Sequence, residues 1–85
     1  MTGPEISELI SEILEVSDVA PDDDFFDIGG NSLLALDLLA RLEERTGMKI
    51  TLLDIFRAAS PDELAALIAD RSREAGGTEA AAGPR

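Results

Sequence analysis

Asp27-Ile28-Gly29-Gly30-Asn31-Ser32-Leu33 is the stretch of this chain whose residue types and order could do chemistry. Paired glycines let a backbone turn sharply and let another molecule approach it closely. Ser32 then stands at the head of an apolar-periodic segment, where backbone N–H groups and the helix dipole favour a phosphate. A serine presented there is suited to carrying a phosphodiester. The same residues also read as a plain turn, with Gly-Gly bending the chain and Ser32 capping the helix. The local pattern leaves both readings open.

Rival chemistries fail on the residues. A calcium loop counted from Asp22 would put Phe26 at its fifth position and Leu33 at its twelfth, where oxygen ligands are required. The nucleophile elbow needs Gly-x-Ser-x-Gly and a histidine, but Ser32 is followed by Leu33-Leu34 and the chain has no histidine. The phosphate-binding loop needs a Gly-Lys-Ser/Thr end, and no lysine lies near Ser32. Without cysteine there is no disulfide and no thiolate nucleophile or ligand. Without histidine a Ser-His-Asp triad is impossible. Lys49 is the single lysine, with nothing beside it in the sequence to activate it. The expectation is a protein that is not an enzyme and holds no metal.

Composition narrows the partners. Eighty-five residues make one domain, with a core built mainly from Leu, Ile, Val and Ala, since Phe25, Phe26 and Phe56 are the only aromatics. The net charge of −11 argues against nucleic acid, which needs clustered Lys and Arg. It fits a solvated, self-repelling surface, or one steered toward basic patches on partner enzymes. No stretch has the length of a membrane span and no signal peptide opens the chain, so a soluble, cytoplasmic monomer is expected.

Four elements must position Ser32. Pro4 and the acidic Glu5 and Glu8 mark a helix start, and Ile6, Leu9, Ile10, Ile13 and Leu14 give one apolar stripe over residues 5–16. Residues 17–31 form a long, charged first loop, which Phe25, Phe26 and Ile28 pin to the body. The second helix begins at Asn31 or Ser32, either of which can cap it, and runs to Thr46, with Gly47 closing it. Steps of about 100° put Ala35, Leu38, Leu39 and Leu42 on one side and Asp37, Arg41 and Glu44 opposite. Leu33, Leu36 and Ala40 fall beside that polar side, so this helix carries more apolar surface than one core face needs. A short helix follows over Leu52 to Arg57. Ser60-Pro61-Asp62-Glu63 then opens the last helix with a capping box, and Leu64, Ala65, Leu67 and Ile68 supply its buried face. From Glu74 the composition turns to Gly, Ala, Glu, Thr and Pro. The sequence thus predicts an all-α four-helix bundle of three main helices, one short helix and a long first loop. Its domain would span 1–74, with a flexible tail at 75–85.

Asp23 through Ala35, Asp-Asp-Phe-Phe-Asp-Ile-Gly-Gly-Asn-Ser-Leu-Leu-Ala, resembles the phosphopantetheine attachment motif of peptidyl carrier domains from nonribosomal peptide synthetases. The likeness continues through Arg41-Leu42-Glu43, Leu53-Asp54-Ile55-Phe56 and Ser60-Pro61-Asp62-Glu63-Leu64, and covers residues 5–72. It implies a carrier-type bundle and a 4'-phosphopantetheine arm on Ser32. The arm would be attached by a phosphopantetheinyl transferase that uses magnesium and coenzyme A. The arm would hold an aminoacyl or acyl group as a thioester for nonribosomal peptide or hybrid peptide–polyketide biosynthesis. The partners implied are that transferase, an adenylating or acyl-loading enzyme, and condensing or tailoring enzymes. By the same resemblance, Leu33, Leu36 and Ala40 would be partner contacts, with Asp37 and Arg41 as their polar rim.

Asn31 departs from the histidine or aspartate more usual before the serine in peptidyl carriers. Gly-Gly-Asn-Ser still leans toward the amino-acyl branch, since fatty-acid-type carriers favour Asp-Ser-Leu. Methionine a few residues before the first helix and a polar end suggest a free-standing carrier, though a module cut from a larger synthetase would look the same. The alternative function is a noncovalent helical interaction module that docks through the second helix.

Overall fold

The computed structural model describes the backbone of residues 1–82 and the side chains of residues 1–73. The described residues fold as four helices: α1 (Gly3–Leu14), α2 (Ser32–Thr46), α3 (Leu52–Arg57) and α4 (Pro61–Ala82). No strand occurs among the described residues. The all-α bundle with a long first loop is the architecture the apolar spacing predicts.

Each start has a chemical cause. Thr2 caps α1, accepting from the Glu5 N–H at 3.4 Å while Glu5 Oε1 accepts from the Thr2 N–H at 2.9 Å. This box sets the helix two residues earlier than Pro4-Glu5 alone suggests. Glu15 ends it two residues earlier than expected, in the left-handed region at φ 55° and ψ 44°. Asn31 caps α2 and Gly47 closes it at φ 70°. Thr51 and Asp54 form a second capping box at the head of α3. At α4 the Glu63 N–H donates to Ser60 Oγ at 3.2 Å, and that hydroxyl donates to the Glu63 carboxylate at 3.1 Å. The Ser60 cap predicted there is present, while the Glu63 carboxylate accepts from the Ser60 hydroxyl rather than from its backbone N–H.

The core joins Ile6, Leu9, Ile10 and Ile13 of α1 with Ala35, Leu38 and Leu42 of α2, Ile55 of α3, and Leu64 and Ile68 of α4. α1 packs on α2 and α4, while α3 packs chiefly on α2. Leu39, expected on the buried side of α2, is only half-buried. Phe25 from the first loop is fully buried in the same cluster. Its N–H donates to the Ala59 carbonyl at 2.8 Å, and the Asp62 N–H donates to the Pro21 carbonyl at 3.0 Å. These two bonds tie the loop to the α3–α4 junction, as the expected pinning requires.

α4 continues to Ala82, past Glu74, where the composition suggests a tail. Glu74, Ala75 and Glu79 through Ala82 are strong helix formers, and within this stretch only Gly76, Gly77 and Thr78 weaken the helix. Residues 83–85 of the expected tail lie outside the described residues.

Candidate functional site

Two glycines shape the approach to Ser32. Gly29 has φ 117°, a conformation that side chains other than glycine's rarely adopt. Gly30 donates its N–H to the Phe25 carbonyl at 2.9 Å and lies directly against the Phe25 ring. The turn before Ser32 is thus built on a buried aromatic side chain. Asp24 organises it from the other side, its Oδ1 accepting from the N–H groups of Phe26 at 2.8 Å and Asp27 at 3.2 Å. The Ala20 N–H donates to Asp23 Oδ2 at 2.8 Å. The acidic run of the first loop is therefore used partly to fold the loop onto itself.

Asn31 resolves which residue caps α2. Its Oδ1 accepts from the Leu34 N–H at 2.9 Å, and its carbonyl accepts from the Ala35 N–H at 2.8 Å. Ser32 is the first helical residue and exposed, and its hydroxyl has no hydrogen-bond partner among the described residues. The N–H groups of Ser32 and Leu33 are likewise unclaimed among the described residues, so they and the helix dipole can meet a phosphate at this hydroxyl. The plain-turn reading assigned Ser32 to capping, and Asn31 does that work. The donors present fit a phosphodiester-linked arm.

The candidate partner face lies along α2 from this point. Leu33 is 75 % exposed and Leu36 49 % exposed, and Asp37 and Ala40 are exposed as well. Arg41 is half-buried, donating to Asp37 Oδ1 at 3.1 Å and to Glu12 Oε1 of α1 at 3.4 Å. It therefore links α1 and α2.

Sequence reasoning missed a second set of exposed apolar side chains. Leu53 is 56 % exposed and Phe56 48 % exposed on α3, which packs against α2. Phe56 stacks on Phe26 with ring centroids 4.8 Å apart and planes 10° apart, and Phe26 meets Phe25 edge-on at 5.2 Å. Phe56 is thus the exposed end of an aromatic row that begins in the core. Six helical residues carry too little periodicity to separate such a position from a buried one.

No group of three or more metal-ligating side chains gathers among the described residues, and no helix of theirs is long and apolar enough to cross a membrane.

The four-helix bundle, with Ser32 exposed at the start of α2, has the architecture of a carrier-type domain. The family model described as the phosphopantetheine attachment site matches residues 4–68. The chain belongs to that family and is a peptidyl carrier, or thiolation, domain of the nonribosomal peptide synthetase type. It is 39 % identical over 71 residues to CymA, a probable non-canonical nonribosomal peptide synthetase of Salinispora arenicola, covering 84 % of this chain and 1 % of that protein. It is 31 % identical over 83 residues to surfactin synthase subunit 1 of Bacillus subtilis, covering 98 % of this chain and 2 % of that one. The chain thus spans only a small fraction of these relatives.

Among solved structures, an active-site mutant peptidyl carrier protein superposes with a TM-score of 0.78 at 28 % identity, over 82 % of this chain and 78 % of that one. A structure of the phosphopantetheine transferase Sfp with coenzyme A and a peptidyl carrier protein gives a TM-score of 0.78 at 26 % identity, over 82 % and 91 % of the two chains. Family membership supports the carrier reading over the noncovalent docking module. Members of this family carry 4'-phosphopantetheine covalently on a serine.

Proposed function

We propose that Ser32 is the serine that receives the arm, and that the chain works as a covalent carrier for an aminoacyl or acyl group in peptide or hybrid peptide–polyketide assembly. One observation carries this: the Ser32 hydroxyl stands free at the head of α2 because Asn31 supplies the cap. In the loading step the Ser32 oxygen bonds to the phosphorus of coenzyme A next to the pantetheine. The phosphoanhydride bond breaks, the nucleotide half leaves, and the serine proton passes to a base of the transferase, with magnesium screening the phosphates. Once attached, the arm supplies a terminal thiol that holds the building block as a thioester. The chain's own residues hold the attachment point outward and offer a face to enzymes; they catalyse no step.

The face proposed comprises Leu33, Leu36, Asp37, Ala40 and Arg41, joined by Leu53 and Phe56. Apolar side chains exposed on α2 and on α3, which packs against it, favour such a role. The partners proposed are a phosphopantetheinyl transferase, an adenylating or acyl-loading enzyme, and condensing or tailoring enzymes. The net charge of −11 favours basic docking surfaces on them. We place the working protein in the cytoplasm as a monomer, with residues 1–74 as the functional unit and 75–85 dispensable for modification.

The test is intact-protein mass after incubation with coenzyme A, magnesium and a transferase of broad specificity, beside a Ser32→Ala control. A gain of one phosphopantetheine that disappears in the control establishes Ser32. A gain that survives in the control moves the attachment to another serine. No gain in a folded sample, with several transferases tried, removes the covalent role.

A further inference from the structure

α3 is too short to hold itself in place. Six residues fall well below the length at which an isolated helix persists in water, so its position must come from contacts with its neighbours. Ile55 anchors one side in the core, and Phe56 leans on Phe26 at the other. The head of the helix is held differently. Arg71, from the third turn of α4, donates Nη1 to Asp54 Oδ2 at 2.7 Å and Nη2 to Asp54 Oδ1 at 3.2 Å. The same Nη1 reaches the Lys49 carbonyl at 3.2 Å, in the segment that leads into α3. Asp54 is also the residue that closes the capping box with Thr51.

A planar guanidinium fixes both the distance and the orientation of the carboxylate it grips. Its partner here is only 16 % exposed, so water screens the pair less than an ordinary surface pair. We propose that Arg71, acting through Asp54, is the positioning residue that sets α3 on the bundle and so places Leu53 and Phe56 beside the α2 face. This rests on the reading that those side chains belong to the docking surface around Ser32. Its effect on partners would run through α3.

The test uses the full chain and two readouts. The first is amide hydrogen exchange, helix by helix, in the wild type and Arg71→Gln. The second is the KM and kcat of each form as substrate of a phosphopantetheinyl transferase with coenzyme A and magnesium, with Leu53→Ala alongside. The expected result is exchange about tenfold faster in α3, with α1 and α2 little changed. KM should rise by roughly three- to tenfold in both Arg71→Gln and Leu53→Ala, with kcat nearly constant. If Arg71→Gln does not fold, Arg71→Lys, which keeps the charge and loses the two-pronged grip, gives the same readings.

A wild type that is not modified at all would sink the Ser32 reading and this inference with it. A modified wild type with Leu53→Ala unaffected would remove α3 from the face. If Leu53→Ala raises KM and Arg71→Gln does not, positioning by Arg71 is overturned while the carrier reading stands. A raised KM with unchanged α3 exchange would make the effect one of local charge, which equally overturns it.

Discussion

The Cα of Gly30 rests on the ring of Phe25. A Cβ built on Gly30 would collide with the Cδ2 and Cε2 atoms of that ring and lie 2.5 Å from the Phe25 carbonyl oxygen. Phe25 is fully buried and cannot yield without opening the core. The glycine before Asn31 is therefore a packing requirement, whereas Gly29, with nothing within 4 Å of its Cβ position, is a conformational one.

Gly30→Ala should accordingly destabilise the domain by about 1–3 kcal/mol, the range for forcing a methyl into a packed site. Thermal unfolding followed by circular dichroism would show a melting point lower by several degrees per kcal/mol lost. An unchanged melting point would mean that the Phe25 ring can move aside freely.

Phe25 and Phe56 should separate by burial. Phe25→Ala removes a fully buried ring and should cost about 3–5 kcal/mol, most of the stability of a domain this size. Phe56→Ala gives up a half-exposed ring and one stacking contact, and should cost less than about 2 kcal/mol. Denaturant titration of the two variants tests the ranking. Equal losses would place Phe56 in the core after all.

Leu36→Asp should leave the fold intact, because Leu36 is half-exposed on α2 and outside the core cluster. Circular dichroism should match the wild type to within about 0.5 kcal/mol of stability, as for other surface changes. Modification of Ser32 by the transferase should become less efficient. An unfolded variant would assign Leu36 to the core and take α2 out of the proposed face.

How far such features can be read from the sequence depends on how local their causes are. Helices α2 and α4 announce themselves because Asn31, Gly47 and Ser60-Pro61 sit beside the groups they cap. The Thr2–Glu5 box was equally local, and its Thr-x-x-Glu spacing could have placed the start of α1 correctly. Asn31 and Ser32 are both good caps by type, so only the observed bond from the Leu34 N–H separates the cap from the free hydroxyl. The grip of Arg71 on Asp54 joins residues seventeen apart, and no periodicity carries it. The exposure of Leu53 and Phe56 depends on how α3 lies across α2, which is likewise a property of the assembled bundle.

Glu15 holds the left-handed conformation that ends α1, at φ 55°, with its N–H donating to the Ser11 carbonyl. Side chains other than glycine's pay about 1 kcal/mol there, partly offset by the greater freedom glycine has when unfolded. Glu15→Gly should therefore stabilise the domain by a few tenths to about 1 kcal/mol. It also removes one negative charge from a chain of net charge −11, so the measurement belongs at high salt, where that contribution is screened. A lower melting point at high salt would show that the Glu15 side chain does more for the fold than its strained backbone costs.

Asp54 should give the domain an acid limit. Hydrogen bonding from the Arg71 guanidinium, aided by the Thr51 N–H and hydroxyl, outweighs burial and holds its carboxyl down from 3.8 to about 2. A carboxyl whose folded pKa lies below its unfolded one stabilises the fold fully above the unfolded value. That stabilisation declines as pH falls below about 4 and is gone once pH passes below about 2. The loss should be on the order of 1–2 kcal/mol. In Arg71→Gln the carboxyl returns toward its ordinary value, so the variant should be less stable than the wild type at neutral pH. The gap should close as pH falls from about 4 to about 2. Urea titrations of both proteins across that range decide it: a gap that stays constant with pH would mean that Arg71 stabilises the bundle through contacts other than the charge on Asp54, its bond to Lys49 among them.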